Sequence, residues 1–316
     1  MFEKIISLEN LFLAWKEFRK GKSKKQDIAD FEMNLEDNIF ALHKDLASGA
    51  YKHGKYVSFY VCDPKRRHIH KATVRDRVLH RAVVRVIEPI WERTFIFDSW
   101  SCRKDKGHHA AIRRFQRFGR SLSQNYTKTL WILKLDIRKF FELVNRDVLL
   151  KIVATKICDE RLLSLLREII DSFSPGLPLG NLTSQLFANI YLDRLDRFVK
   201  HGLKERGYIR YADDFIIMHT DKDVLRQCLL GIQRFLSEEL QLNLHPLKIF
   251  LKTYSSGIDF LGYVCFPHFC VLRTKTKRRM LVRINARNLP SYNGVLAHCR
   301  SRGLQSLICG QANFLI

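Results

Sequence analysis

The stretch Tyr208-Ile-Arg-Tyr-Ala-Asp-Asp-Phe-Ile-Ile-Met-His219 reads as two short β-rich arms around a turn at Ala212-Asp213. Acidic residues among apolar strand residues are costly to bury unless something positive compensates them. A divalent cation does so, because hard carboxylate oxygens suit Mg2+. A second apolar run, Trp131-Ile-Leu-Lys-Leu-Asp136, ends in a third carboxylate. If the two runs are neighbours in one sheet, Asp136 converges on the pair at Asp213 and Asp214. Three converging carboxylates meet the needs of two-metal phosphoryl transfer. One ion lowers the pKa of an attacking hydroxyl, and the other neutralises charge on the leaving oxygens. The plainer reading is a hairpin turn with two acids at its tip, so the motif needs companions elsewhere in the chain.

Composition narrows the partner. The 316 residues carry 55 Lys and Arg against 32 Asp and Glu, a formal net charge of +23. Such an excess favours a polyanion, with nucleic acid first. The basic residues are spread along the chain and not gathered on one amphipathic segment, which argues against a membrane surface. With 46% hydrophobic and 11% aromatic residues and only 7 prolines, the chain can bury a core, which excludes wholesale disorder. No apolar run approaches the roughly 18 residues of a membrane span. Met1 to Trp15 carries Glu3, Lys4 and Glu9 and does not read as a secretory signal. The expected location is therefore the cytoplasm. There the 8 cysteines, none in a C-x-x-C pair, are expected as reduced and buried thiols. A zinc site built from Cys265, His268 and Cys270 is the alternative.

Helical spacing predicts helices over 3–20, 27–48, 74–92, 107–123, 145–172, 184–200 and 222–240. Strands are expected at 55–62, 130–137, 247–252 and 258–266, with a turn at Asp63-Pro64 and a hard break over Ser174-Pro-Gly-Leu-Pro178. Helices and antiparallel strands mix without regular βαβ alternation, so the fold class is α+β.

The companions are present. Leu135-Asp-Ile-Arg-Lys-Phe-Phe141 resembles the first palm motif of reverse transcriptases, and Tyr211-Ala-Asp-Asp214 resembles their catalytic turn. Between them, Gly176-Leu-Pro-Leu-Gly-Asn-Leu-Thr-Ser-Gln185 resembles the motif that faces the incoming nucleotide, and Phe260-Leu-Gly262 the primer-grip region. The resemblance covers about residues 55 to 265. It implies a right-hand polymerase: an N-terminal helical extension over 1–49, fingers over 50–127, a palm over 128–266, and a short helical thumb with a basic tail over 267–316. It implies Asp136, Asp213 and Asp214 as catalytic residues, and Asp136, Ile137, Asp213 and Asp214 as the binding set for two Mg2+ ions, with Mn2+ as a substitute. Asp136 and Asp213 would bind directly, Asp214 more weakly. Phe141 matches the aromatic ring that leaves no room for a ribose 2′-hydroxyl, although Phe140 and Phe141 are both candidate core residues.

Asp63-Pro-Lys-Arg-Arg-His68 and Arg75-Asp-Arg77 resemble the family's finger region. Lys65, Arg67 and Arg75 are the candidates for the triphosphate, and Lys248 for the departing pyrophosphate. Leu179, Gly180 and Gln185 complete the nucleotide-binding set. Asp98-Ser-Trp-Ser-Cys-Arg103 is expected to contact template or brace the fingers. The implied partners are template RNA, a primer or cDNA strand and deoxynucleoside triphosphates.

One departure narrows the family. Many relatives carry Gln-Gly and Ser-Pro in the nucleotide-facing motif, where this chain has Leu179-Gly180 and Ser184-Gln185. That pattern resembles the reverse transcriptases of diversity-generating retroelements of bacteria and phages. These copy RNA with errors at adenines and work with a small basic accessory protein that forms an oligomeric ring. The rivals are an intron-encoded or phage-defence reverse transcriptase, and an inactive polymerase-like RNA-binding module.

Overall fold

The computed structural model describes Met1–Cys62 and Lys65–Asn313. The turn expected at Asp63-Pro64 lies outside the described residues. The chain divides into two compact units, each assembled from separated segments.

The first unit comprises Met1–Phe97, Ile137–Arg197 and Arg234–Asn243. Its centre is the helix Val74–Glu92, whose Val78, Leu79, Ala82, Val83 and Ile87 are all fully buried. The helices Leu8–Arg19 and Leu182–Arg197 pack along it. Thr73 caps this helix: its hydroxyl accepts from the Asp76 amide and donates to the Asp76 carboxylate. Strands β1 (Val57–Val61) and β2 (Arg67–Lys71) form an antiparallel hairpin whose β1 side chains are all exposed. The helix expected over 145–172 is two helices, Arg146–Ala154 and Glu160–Asp171. Asp159 separates them by capping the second, its carboxylate accepting from the Leu162 amide.

His80 on the central helix is completely buried against His53. Burial first, then the nearby charges of His53 and Arg77, depress its pKa to about 3 from the ordinary 6.5. Between those values the unfolded chain binds the proton and the folded chain does not. Stability is therefore fully present above pH 6.5 and is lost as pH falls toward 3. In His80→Leu the acid limb of a plot of melting temperature against pH is expected to become shallower. An unchanged limb would assign it to other groups.

The second unit comprises Asp98–Asp136, Phe198–Gln233 and Leu244–Ile316. Its sheet is antiparallel, in the order β4 (Gly207–Tyr211), β5 (Asp214–His219), β3 (Trp131–Asp136), β6 (Phe250–Thr253). Side chains alternate across a strand, so Ile132, Lys134 and Asp136 share one face with their partners Met218, Ile216 and Asp214. On that face Ile132, Ile209, Ile216 and Met218 join one apolar core with Ile112 and Phe115 of the helix His108–Leu122. The strand expected over 258–266 is two strands, β7 (Ile258–Phe260) and β8 (Tyr263–Cys265), because Leu261 and Gly262 both take left-handed backbone and turn the chain. With β9 (Cys270–Leu272) they form a second sheet. The basic run after Arg273 becomes the helix Thr274–Arg283. Among the described residues no helix is long and apolar enough to cross a membrane.

Candidate active site

The two strands that end in carboxylates are neighbours. β3 pairs with β5 in a register that sets Asp136 directly opposite Asp214, and β4 pairs with β5 so that Tyr211 is also opposite Asp214. The link between β4 and β5 is therefore only Ala212-Asp213. Such a tight connection needs left-handed backbone, which Ala212 supplies at φ +55°. Asp213 stands at the turn, one residue from Asp214 and beside the end of β3.

Two lysines lean on these acids. Lys248, on the short turn Pro246–Lys248, places its Nζ 2.7 Å from Asp136 Oδ1. The same turn is tied to Asp136 by the backbone, the His245 amide donating to the Asp136 carbonyl at 2.8 Å. Lys134, two residues before Asp136 on the same strand face, lies 3.2 Å from Asp214 Oδ2 and donates to the Asp259 carbonyl at 2.7 Å. Even so, burial pushes the Asp214 carboxyl up to about 6, and the charges of Asp136 and Asp213 push the same way against the pull of Lys134. The Oδ1 of Asp214 is buried without a hydrogen-bond partner. An orphaned carboxylate oxygen, crowded by two like charges, is a donor set that a hard cation would relieve. The residues therefore fit a divalent ion. Among the described residues no three His, Cys, Asp or Glu side chains converge as a ready-made cage. Asp136 and Asp214 are turned toward the lysines instead.

A second group of expected residues gathers within the first unit. The Leu177 amide donates to the Phe141 carbonyl at 2.7 Å, and the His70 amide to the Leu179 carbonyl at 2.9 Å. The Asn181 side-chain Nδ2 donates in return to the His70 carbonyl at 3.0 Å. The loop 176–181 is thus fastened to Phe141 on one side and to β2 on the other. Gly180 is exposed at φ +109°, and a side chain there would meet Ile69. Phe140 is the core residue of the aromatic pair, while Phe141 and Leu179 are half-buried and Gln185 is exposed. Lys65 and Arg67 are exposed around the start of β2, and Arg66 lies over the Tyr60 ring. Arg75 is committed elsewhere, to Asp45 at 2.5 Å and the Lys52 carbonyl. Ile137 is buried, with no side-chain donor to offer.

Sequence reading missed Lys134, although its place two residues before Asp136 in an alternating strand was the available signal. It also missed what Asp98-Ser-Trp-Ser101 does. That segment runs beside β4 in the second unit: the Arg210 amide donates to the Asp98 carbonyl, and the Trp100 amide to the Arg210 carbonyl. The zinc alternative fails. Cys265 and Cys270 are opposite one another on β8 and β9 with their thiols in mutual contact, while the His268 ring packs edge-on against Tyr126.

A sheet that sets three acids at one tight turn and one strand end is the arrangement of a polymerase palm. Residues 52–265 match the family described as reverse transcriptase (RNA-dependent DNA polymerase). The chain belongs to the reverse transcriptase family. It is 26% identical over 269 residues to Protein YkfC of Escherichia coli, a match covering 70% of this chain and 69% of that protein. It is 25% identical over 320 residues to the group II intron-encoded protein LtrA of Lactococcus lactis, covering 77% of this chain but 52% of LtrA. Among solved structures, apo telomerase from Candida tropicalis superposes with a TM-score of 0.55 at 11% identity, covering 71% of this chain and 49% of that one. At that identity the likeness shows the fold alone, a right-hand polymerase with helices and antiparallel sheet. The chain spans about half the length of LtrA and of that telomerase.

Proposed function

We propose that this chain copies RNA into DNA by two-metal nucleotidyl transfer, with Asp136, Asp213 and Asp214 around the ions. The observation that carries this reading is the register that sets Asp136 opposite Asp214, next to the two-residue turn that holds Asp213. Bound divalent ions would supply a lowered pKa for the primer 3′-hydroxyl and charge neutralisation on the leaving phosphates. The chain's own residues do the rest. Asp136 and Asp213 hold the ions, and Asp214, which leans on Lys134, holds them less directly. Lys248 is a proton donor within reach of Asp136 and suits a departing pyrophosphate. Phe141 excludes the 2′-hydroxyl, and Lys65 and Arg67 supply cationic donors for the triphosphate. Arg75 contributes to the stability of this region through Asp45. The test is extension of a DNA primer on an RNA template with deoxynucleotides and Mg2+ or Mn2+; absence of extension with both ions would end the reading.

Within the family, Leu179 and Gln185 support a diversity-generating retroelement enzyme that makes adenine-directed errors. The loop fixes position 179 through its carbonyl, which leaves its side chain free to set nucleotide discrimination. Leucine has no amide to hold the incoming nucleotide. Leu179→Gln is expected to lower misincorporation opposite adenine by about fivefold, the worth of roughly one hydrogen bond. An unchanged error spectrum, read by sequencing the products, would remove this explanation. The subclass also brings a small basic accessory protein in an oligomeric ring. Since both partners would be cationic, RNA is expected to bridge them. An intron-encoded enzyme is the second reading, favoured by the similarity to LtrA. It predicts no adenine bias.

A further inference from the structure

The turn between β4 and β5 carries a cost that something must hold in place. Ala212 at φ +55° is a non-glycine residue in left-handed backbone, a conformation that its Cβ disfavours. A turn under that strain relaxes by rotating its peptide planes. The plane that matters joins Ala212 to Asp213: its carbonyl belongs to Ala212, its amide to Asp213. Its orientation therefore sets where the Asp213 carboxylate starts from.

Arg210 grips that plane. Its side chain is completely buried, on the sheet face opposite Tyr211 and Asp214. One Nη donates to the Ala212 carbonyl at 3.1 Å and the other to Ser99 Oγ at 3.0 Å. Ser99 is itself anchored: Arg103 donates to its carbonyl at 2.8 Å, and the segment 98–100 is bonded to β4 through both the N–H and the carbonyl of Arg210. The next residue repeats the pattern, the Tyr211 hydroxyl bonding to Ser101. Asp98 is fixed in turn by Arg114 at 2.7 Å and Lys200 at 3.4 Å. A buried guanidinium is expensive to desolvate. Here its planar fork spans two acceptors on separate segments, a geometry that one ammonium cannot reproduce.

We propose that Arg210 is a positioning residue for the Tyr211–Asp214 turn, clamping the Ala212 carbonyl against Ser99 so that Asp213 and Asp214 are aimed for divalent-cation binding. Asp98-Ser-Trp-Ser101 is the anchor of that clamp. This rests on the two-metal reading above, and the test separates the two. Arg210→Lys keeps the charge and loses the fork; Ser99→Ala loses one anchor and leaves the arginine intact. Mn2+ binding by titration in the absence of nucleic acid should weaken by about tenfold in Arg210→Lys, as when the supports of metal ligands are removed. Ser99→Ala should weaken it in the same direction by less. Turnover in primer extension should fall in parallel with unchanged primer–template affinity, and raised Mn2+ should restore part of it. Wild-type Mn2+ binding in Arg210→Lys would overturn the proposal. So would equal losses of ion and primer–template binding, which mark a general structural role. If the wild-type protein extends no primer but Mn2+ binding still responds to both variants, the clamp stands and the polymerase reading falls.

Discussion

Asp213→Asn is expected to reduce primer extension by at least about a thousandfold, the equivalent of roughly 4 kcal/mol of lost transition-state stabilisation. The substitution is isosteric, so the two-residue turn between β4 and β5 and the left-handed Ala212 have no reason to change. What changes is charge: an amide oxygen is a poorer ligand for a hard cation than a carboxylate. Because the variant removes a negative charge beside a polyanion, primer–template binding is expected to hold or tighten slightly. Asp214 loses one of the like charges that push its carboxyl up, so the metal-free variant should melt no lower than the wild type. Single-turnover extension, fluorescence anisotropy with labelled primer–template, and thermal unfolding measure the three properties. Retention of a tenth of the wild-type rate would remove Asp213 from the reacting centre.

Gly176→Ala is expected to be the most damaging small substitution in the first unit. A Cβ at that position would stand 2.1 Å from the Phe141 carbonyl oxygen and 2.7 Å from the Glu142 backbone. None of those atoms is a side chain that can swing away. The backbone is also left-handed at φ +70°. About 1–2 kcal/mol for the conformation and about 1–3 kcal/mol for the clash give a loss of about 2–5 kcal/mol. To escape, the loop must break the Leu177–Phe141 bond, and the Leu179–Gly180 turn would move with it. Gly303→Ala is the control: nothing lies within 4 Å of a Cβ there, and the residue is helical. It should be neutral or slightly stabilising. Urea midpoints of the two variants make the comparison, and equal midpoints would show that the loop does not need its close approach to Phe141.

The carboxylate strands were legible because two independent signals agreed: apolar runs of strand length, and acids at their ends that only an exposed edge or a cation would tolerate. Their adjacency, inferred from chemistry, appears as the β3–β5 register. The contacts that support the acids were less legible, because most of them join residues distant in sequence, even where a residue such as Lys248 was itself singled out. Ser99 meets Arg210, 111 positions away, and nothing in the local pattern of either residue announces the contact. Lys248 and Asp136 are likewise 112 positions apart. Elsewhere the sequence did carry the answer and periodicity masked it. Asp159 is an ordinary cap, but the apolar spacing on both sides of it reads as one continuous helix. Leu261-Gly262 carried a glycine turn signal inside a run of strand formers. Arg75 illustrates a different limit: type and neighbourhood suggest phosphate, while Asp45 has already claimed the guanidinium.

The amines of Lys134 and Lys248 have a consequence for the order in which ligands arrive. A cluster of bare acids would repel a phosphodiester strand until metal came first. Here each of two acids holds an internal ammonium as a placeholder, so the resting pocket is closer to neutral than its acid count suggests. On the two-metal reading, nucleic acid would be able to dock before the ions, and arriving ions would compete with tethered amines instead of filling an empty cage. Loading would then be an exchange of counterions, with the displaced amines left beside the acids they had paired.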